Sequence, residues 1–163
     1  MFRVELGGSA YDARLIATER LSGGQMIYRI ADYRITHRPT YQTIQIGPET
    51  HIEELGVLAY LNHSCKPNAI VDTTALTVVA VRDIAPGHEI TFFYPSTEWE
   101  MAAPFICLCG ATNCIHVVAG ARFLPLSTLE QHYLNRHIRE LILDLLTGTG
   151  MHLEKLEQVK VSR

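Results

Sequence analysis

The sequence predicts a mostly β domain (β+α) that ends in a helix, and three observations carry this reading. Short apolar runs rich in β-branched residues, broken by turn signals, extend from Val4 to about Ile46 and recur between Ala69 and Tyr94. After Ser127 the apolar spacing becomes helical. At 163 residues and 47% hydrophobic content, the chain is about one domain long and can bury a sizeable core.

In chain order, Ser22-Gly23-Gly24 and Ile46-Gly47-Pro48 mark tight turns between the first short strands. Ala69-Ile70-Val71, then Asp72-Thr73-Thr74, then Leu76 to Val81 reads as a β-hairpin, followed by an Ala85-Pro86-Gly87 turn and a short strand from Ile90 to Tyr94. Ser127 with Glu130 three residues on predicts a capping box, and Leu134, Ile138, Leu141 and Leu145 predict one helix from Ser127 to about Leu146, stopped near Gly148. Its apolar face suits either its own core or a second subunit, so a homo-oligomer through this helix is one expectation. The charged segment from Met151 is expected to be a short helix or a tail.

A net charge of −3 and a pI near 6.2 give no broad basic field, which argues against direct nucleic-acid or anionic-membrane binding. No signal-peptide layout and no apolar run of roughly 18 residues appears, so an intracellular, cytoplasmic protein is expected, the nucleus included. In that compartment cysteines serve more often as ligands, catalysts or core than as disulfides.

Their spacing decides among these. Cys107-Leu108-Cys109-Gly110 and Cys114 form C-x-C-x4-C around a glycine that permits a sharp turn. A structural zinc ion takes four tetrahedral ligands, and one cysteine is left to complete the set, Cys65. Zn²⁺ on Cys65, Cys107, Cys109 and Cys114 would fasten Asn62-His63-Ser64-Cys65 to a loop some forty residues downstream. A cysteine nucleophile paired with His63 is the competing chemistry, and zinc ligation would consume its thiolate.

Leu61-Asn62-His63-Ser64-Cys65-Lys66-Pro67-Asn68, then Gly87-His88-Glu89-Ile90-Thr91-Phe92-Phe93-Tyr94, then Cys-x-Cys-x4-Cys, resembles the SET-domain protein-lysine methyltransferase family in content and order. The resemblance runs from about Arg14 to Cys114. It implies a SET fold of short curved sheets with a knot-like crossing, a post-SET zinc loop and a C-terminal helix. The implied boundaries are a SET domain over 1–104, a post-SET loop over 105–116 and a helical extension over 117–163. It also implies S-adenosylmethionine as cofactor, held by Asn62 and His63, with Phe105 and Leu108 against its adenine. Tyr94 resembles the catalytic tyrosine, Phe92 stands at the family's Phe/Tyr switch, and Asn68 closes the asparagine motif.

Where the family opens with a G-x-G turn, this chain carries Asp12-Ala13-Arg14. Ala13 and Arg14 are thus candidate cofactor neighbours, through crowding or new charge. That departure motivates an alternative in which the same pocket serves small-molecule chemistry; a SET-like module that binds without methylating is a further alternative. Little sequence separates the opening strands from Asn62, so the expected partner is a modest protein or peptide lysine, or a small-molecule amine. Methyl transfer to a neutral amine needs in-line placement and water exclusion more than a strong base. Tyr94 suits orientation through its hydroxyl and ring, and Phe92, without a hydroxyl, leaves room for more than one methyl group.

Overall fold

The structure, a computed structural model, describes residues 1–8, 13–54 and 56–148. Asp12 and the charged segment from Met151 lie outside the described residues. Among the described residues, twelve short strands make five small sheets. Strands β1 (Phe2–Glu5) and β2 (Arg14–Ala17) pair antiparallel. β3 (Met26–Arg29) opens a sheet that later strands complete, and β4 (Tyr33–Thr36), β5 (Thr43–Gln45) and β6 (His51–Glu54) form a sheet ordered β4-β6-β5. β7 (Asn62–His63) precedes the predicted hairpin, which forms as β8 (Ala69–Asp72) and β9 (Thr77–Ala80), with β3 on the outer side of β9. Asp72 closes that hairpin: its carboxylate accepts the backbone N–H groups of Thr74 and Ala75, each at 2.9 Å.

β10 is shorter than the sequence suggested, Thr91–Phe92 only, because the chain turns into a 3₁₀ turn at Tyr94–Ser96 with Pro95 inside it. β10 runs parallel to β7, pairing Thr91 with Asn62 and Phe92 with His63. Ser64 N–H donates to the Phe92 carbonyl, and Asn68 N–H to the Thr91 carbonyl, so the first segment wraps the second on both sides of the hairpin excursion. This is the knot-like crossing. β11 (Phe105–Ile106) and β12 (Val117–Val118) frame the cysteine loop.

The single C-terminal helix expected from Ser127 is two helices, α1 (Leu126–Leu129) and α2 (Arg136–Thr147). Ser127 makes no capping bond, since Pro125 occupies the N-cap. The break lies where Asn135 enters the core: fully buried, it spends its side chain on Thr73, Val71 and Ser96 instead of on a helix end. Ile138 is fully buried with Leu129, Phe93 and Ala121, and Leu134 and Ile142 pack on them, so this face rests on its own chain. Leu145 is exposed, and α2 stops at Gly148 with φ 66°, a conformation that favours glycine.

The main core gathers Leu15, Leu21, Ile52, Leu61, Val71, Val78, Ile84 and Ile90 between the sheets. None of the described helices is long and apolar enough to cross a membrane.

Candidate active site

The β7–β10 crossing fixes the predicted motif. Asn62 Nδ2 donates to the Ala13 carbonyl at 2.9 Å and to the Glu89 carboxylate at 2.8 Å, tying β7 to the start of β2. Asn68 binds the other side: its Nδ2 donates to the Glu89 carbonyl and its Oδ1 accepts the Thr91 N–H. Tyr94 N–H donates to His63 Nδ1 at 3.2 Å, which makes Nδ1 the acceptor and leaves the ring proton on Nε2, 3.2 Å from Cys65 Sγ. Burial, with a smaller contribution from His132, pushes His63 down to about 4, so the ring is neutral.

Around His63 stand three aromatic rings. Phe93, Tyr94 and Phe105 have centroids 5.6, 5.3 and 6.1 Å from its own, and Phe92 lies 4.8 Å from Tyr94. The Tyr94 hydroxyl donates to the Leu61 carbonyl at 3.1 Å. Burial, followed by the nearby Glu89 and Glu98 carboxylates, raises the phenol further above its ordinary range, so it stays protonated.

Beside Tyr94 opens a cavity of about 50 Å³, walled by Thr40–Ile44, Leu58, Leu61, Phe92, Tyr94, Glu98 and Met101–Ala103. A volume of that size takes the end of an alkyl chain bearing one polar group. The segment 98–101 that forms one wall is clamped to residues 119–122 by Ala121 N–H to Glu98, Arg122 N–H to Trp99 and Met101 N–H to Ala119. Gly120 makes the approach feasible: at φ 116°, any β-carbon there would press into the Trp99 carbonyl.

The four cysteine sulfurs lie within 4.8 Å of one another, with Cys65 and Cys107 3.9 Å apart and both buried. Zn–S bonds of about 2.3 Å in a tetrahedron set sulfur–sulfur edges of about 3.8 Å, so the cluster needs little contraction to close on one ion. The loop is built for this. Gly110 at φ 69° and His116 at φ 60° reverse the chain, and Asn113 Nδ2 donates to the Cys65 carbonyl at 3.0 Å. Ile115 and His116 N–H groups point at Cys65 and Cys114 sulfurs, each at 3.4 Å, as donors do toward thiolates. Burial raises Cys65 and takes Cys107 up to about 11, while Cys109, against its own burial, is drawn down to about 7 by hydrogen bonds that begin with the Ala111 backbone.

The sequence-derived residues are brought together unevenly. Asn62, His63, Phe92, Tyr94, Phe105 and the cysteines share one neighbourhood. Ala13 is buried beneath Asn62, but the Arg14 guanidinium turns to Glu5 across β1, 2.6 Å away. Leu108 is 89% exposed on the cysteine loop. The cavity walls at Thr40–Ile44 and Met101–Ala103, and Glu98 within them, were not foreseen. Nothing in the local sequence sets Glu98 apart from other acidic residues, since its burial comes from distant segments.

This crossing, aromatic cluster and cysteine loop define a SET domain. Residues 13–95 match the SET domain family, and the chain belongs to it. It is 37% identical over 159 residues to methyltransferase flvH of Aspergillus flavus, covering 95% of this chain and 87% of that one. Over 129 residues it is 30% identical to the histone-lysine N-methyltransferase, H3 lysine-36 specific, of Candida albicans, covering 65% of this chain and 15% of that one. The structure of KRYPTONITE in complex with mCHH DNA, H3(1–15) peptide and SAH superposes with a TM-score of 0.54 at 25% identity, over 72% of this chain and 29% of that one. The chain thus spans most of the Aspergillus protein and less than a third of the other two.

Proposed function

We propose that the protein transfers a methyl group from S-adenosylmethionine to an amine, and that the amine is the side chain of a protein or peptide lysine. The observation that carries this is the position of Tyr94, which touches His63 of the β7–β10 crossing on one side and forms the wall of the narrow cavity on the other. The methyltransferase name of the Aspergillus relative supports the reaction, and the Candida relative and the peptide- and SAH-bound KRYPTONITE complex support the lysine.

S-adenosylmethionine, when bound, supplies an electrophilic methyl on a sulfonium. The residues that would hold it are Asn62, His63 and Ala13, with Phe105 and Leu108 as exposed apolar surface for the adenine. Asn62 spends its donor on Ala13 and Glu89, which leaves Oδ1 to accept from a cofactor ammonium. Tyr94 acts by orientation: its hydroxyl proton is committed to Leu61, so its oxygen accepts an N–H from the amine and directs the lone pair toward the methyl. A phenol held protonated is no base here. Phe92 at the cavity wall adds no hydroxyl, which suits more than one round of methylation. Cys65, Cys107, Cys109 and Cys114 suit a structural zinc ion that fixes the 105–118 hairpin over His63.

The test is transfer of labelled methyl to lysine peptides and to small alkylamines, with products separated by mass spectrometry. The zinc-loaded protein should methylate, and Tyr94→Phe should lose roughly 10²-fold or more in kcat, as expected for a lost positioning group. Equal turnover by Tyr94→Phe would remove the catalytic assignment, and methylation of free amines alone would replace the peptide substrate.

A further inference from the structure

Glu98 is a buried carboxylate on the wall of the amine cavity with one oxygen unused. It is 8% exposed, and both its hydrogen bonds fall on Oε1, from Gln45 N–H at 2.9 Å and from the Thr97 hydroxyl at 3.1 Å. Oε2 accepts no bond among the described residues. Among the described residues, no lysine or arginine lines the cavity and Glu98 joins no ion pair. Buried charge without a partner is costly, so such a group is either protonated or paired by a ligand. Burial takes Glu98 up to about 7 against its two hydrogen bonds, which fits the first state when the cavity is empty and leaves the second within reach of a cationic ligand.

Its position is held from several sides. The Gln45 side chain accepts the Trp99 N–H while the Gln45 backbone donates to Glu98, so β5 grips the residue and its neighbour together. The titratable groups packed around it carry no positive charge. Tyr41 and Tyr94 share the cavity wall; on α2, His137 bonds the Thr97 carbonyl, and on β6, His51 pairs with Gln45. Burial pushes both histidines below their ordinary value.

We infer that Glu98 is a positioning and specificity residue that binds the substrate's ammonium through Oε2 and so makes the cavity selective for cationic alkylamines. The inference rests on the methyl-transfer reading for its biological meaning, but not for its test. Glu98 also offers the acceptor that transfer requires: the proton leaves the ammonium nitrogen for Oε2, giving a neutral amine and a neutral carboxyl before the N–CH₃ bond forms and the S–CH₃ bond breaks. Tyr94, committed to Leu61, then orients the nitrogen lone pair.

The experiment measures binding of n-butylammonium and of 1-butanol, its neutral counterpart, to the zinc-loaded full chain and to Glu98→Gln by NMR titration at pH 8. The wild type should prefer the cation by at least ten-fold, and Glu98→Gln, which keeps both bonds at Oε1, should lose that preference while its affinity for 1-butanol changes little. Equal affinities in the wild type, or a preference retained by Glu98→Gln, would overturn the inference. Should Glu98→Gln fail to fold, the ¹³C-carboxyl titration of Glu98 in the wild type decides. Its midpoint should fall by a unit or more with saturating n-butylammonium and stay put with 1-butanol; a midpoint indifferent to the cation would also overturn it. A cation preference without methyl transfer would leave this inference standing and sink the proposed reaction.

Discussion

Replacing Asn135 by alanine tests how the C-terminal segment supports the active site. Asn135 is fully buried; Oδ1 accepts Thr73 N–H at 2.9 Å and Thr73 Oγ1 at 3.0 Å, and Nδ2 donates to the carbonyls of Val71 at 2.8 Å and Ser96 at 2.9 Å. Truncation leaves these groups buried without the side chain. Two are rescued in part, since the Thr73 hydroxyl lies 3.5 Å from His137 Nδ1 and the Ser96 carbonyl keeps the Asn135 backbone N–H at 3.1 Å. Thr73 N–H and the Val71 carbonyl lose a partner outright, at about 1–3 kcal/mol each. With the small cavity added, the expected cost is about 3–5 kcal/mol, a large share of the 5–15 kcal/mol typical of a domain. At about 2–4 °C per kcal/mol for a chain of this size, the melting temperature should fall by about 6–20 °C. Urea unfolding and a thermal melt of the zinc-loaded protein measure it. Ser96 ends the 3₁₀ turn that begins at Tyr94, so amine affinity should weaken alongside. A loss under about 1 kcal/mol would refute the reasoning that this side chain anchors the turn.

Chelation, or Cys65→Ser, should release one zinc ion per chain and abolish S-adenosylmethionine binding through disorder of 105–118. Metal analysis with calorimetry checks this, and a metal-free sample that binds cofactor normally would refute it. Because thiols must lose protons to bind, zinc affinity should rise with pH, read from a competition titration between pH 6 and 8. Phe92→Tyr should shift products toward monomethylation without loss of fold, seen by mass spectrometry of a lysine peptide. Glu98→Gln should change the pH dependence of stability. The folded state raises this carboxyl from 4.5 to about 7, so it binds the proton more tightly than the unfolded chain. The wild type's stability from this group is then full below pH 4.5 and declines as pH rises through 7, by up to about 3 kcal/mol. Glu98→Gln should therefore gain on the wild type between pH 5 and pH 8 in urea unfolding; a constant difference would contradict the buried, raised carboxyl.

The sequence by itself determined the class of fold and the four cysteines that the structure brings together. Strand-length runs punctuated by glycine, proline and Asp72, and a C-x-C-x4-C loop with one distant cysteine to complete it, are local patterns, and local patterns are what spacing encodes. The motif Asn62-His63 through Tyr94 was legible only through its resemblance to a known family, since each of these residues taken alone reads as core. Other features required the tertiary structure, because they depend on which distant groups meet. The helix predicted across Ser127–Leu146 breaks because Asn135 satisfies Thr73, some sixty residues earlier, and no periodicity encodes that partner. Arg14 reaches Glu5 because β1 lies beside β2, a pairing that no spacing within the chain shows. Glu98 looked like an ordinary acidic residue. Only β5, the 119–122 clamp and the cavity wall bury it, and burial with one free oxygen is what sets this carboxylate apart from an ordinary surface acid.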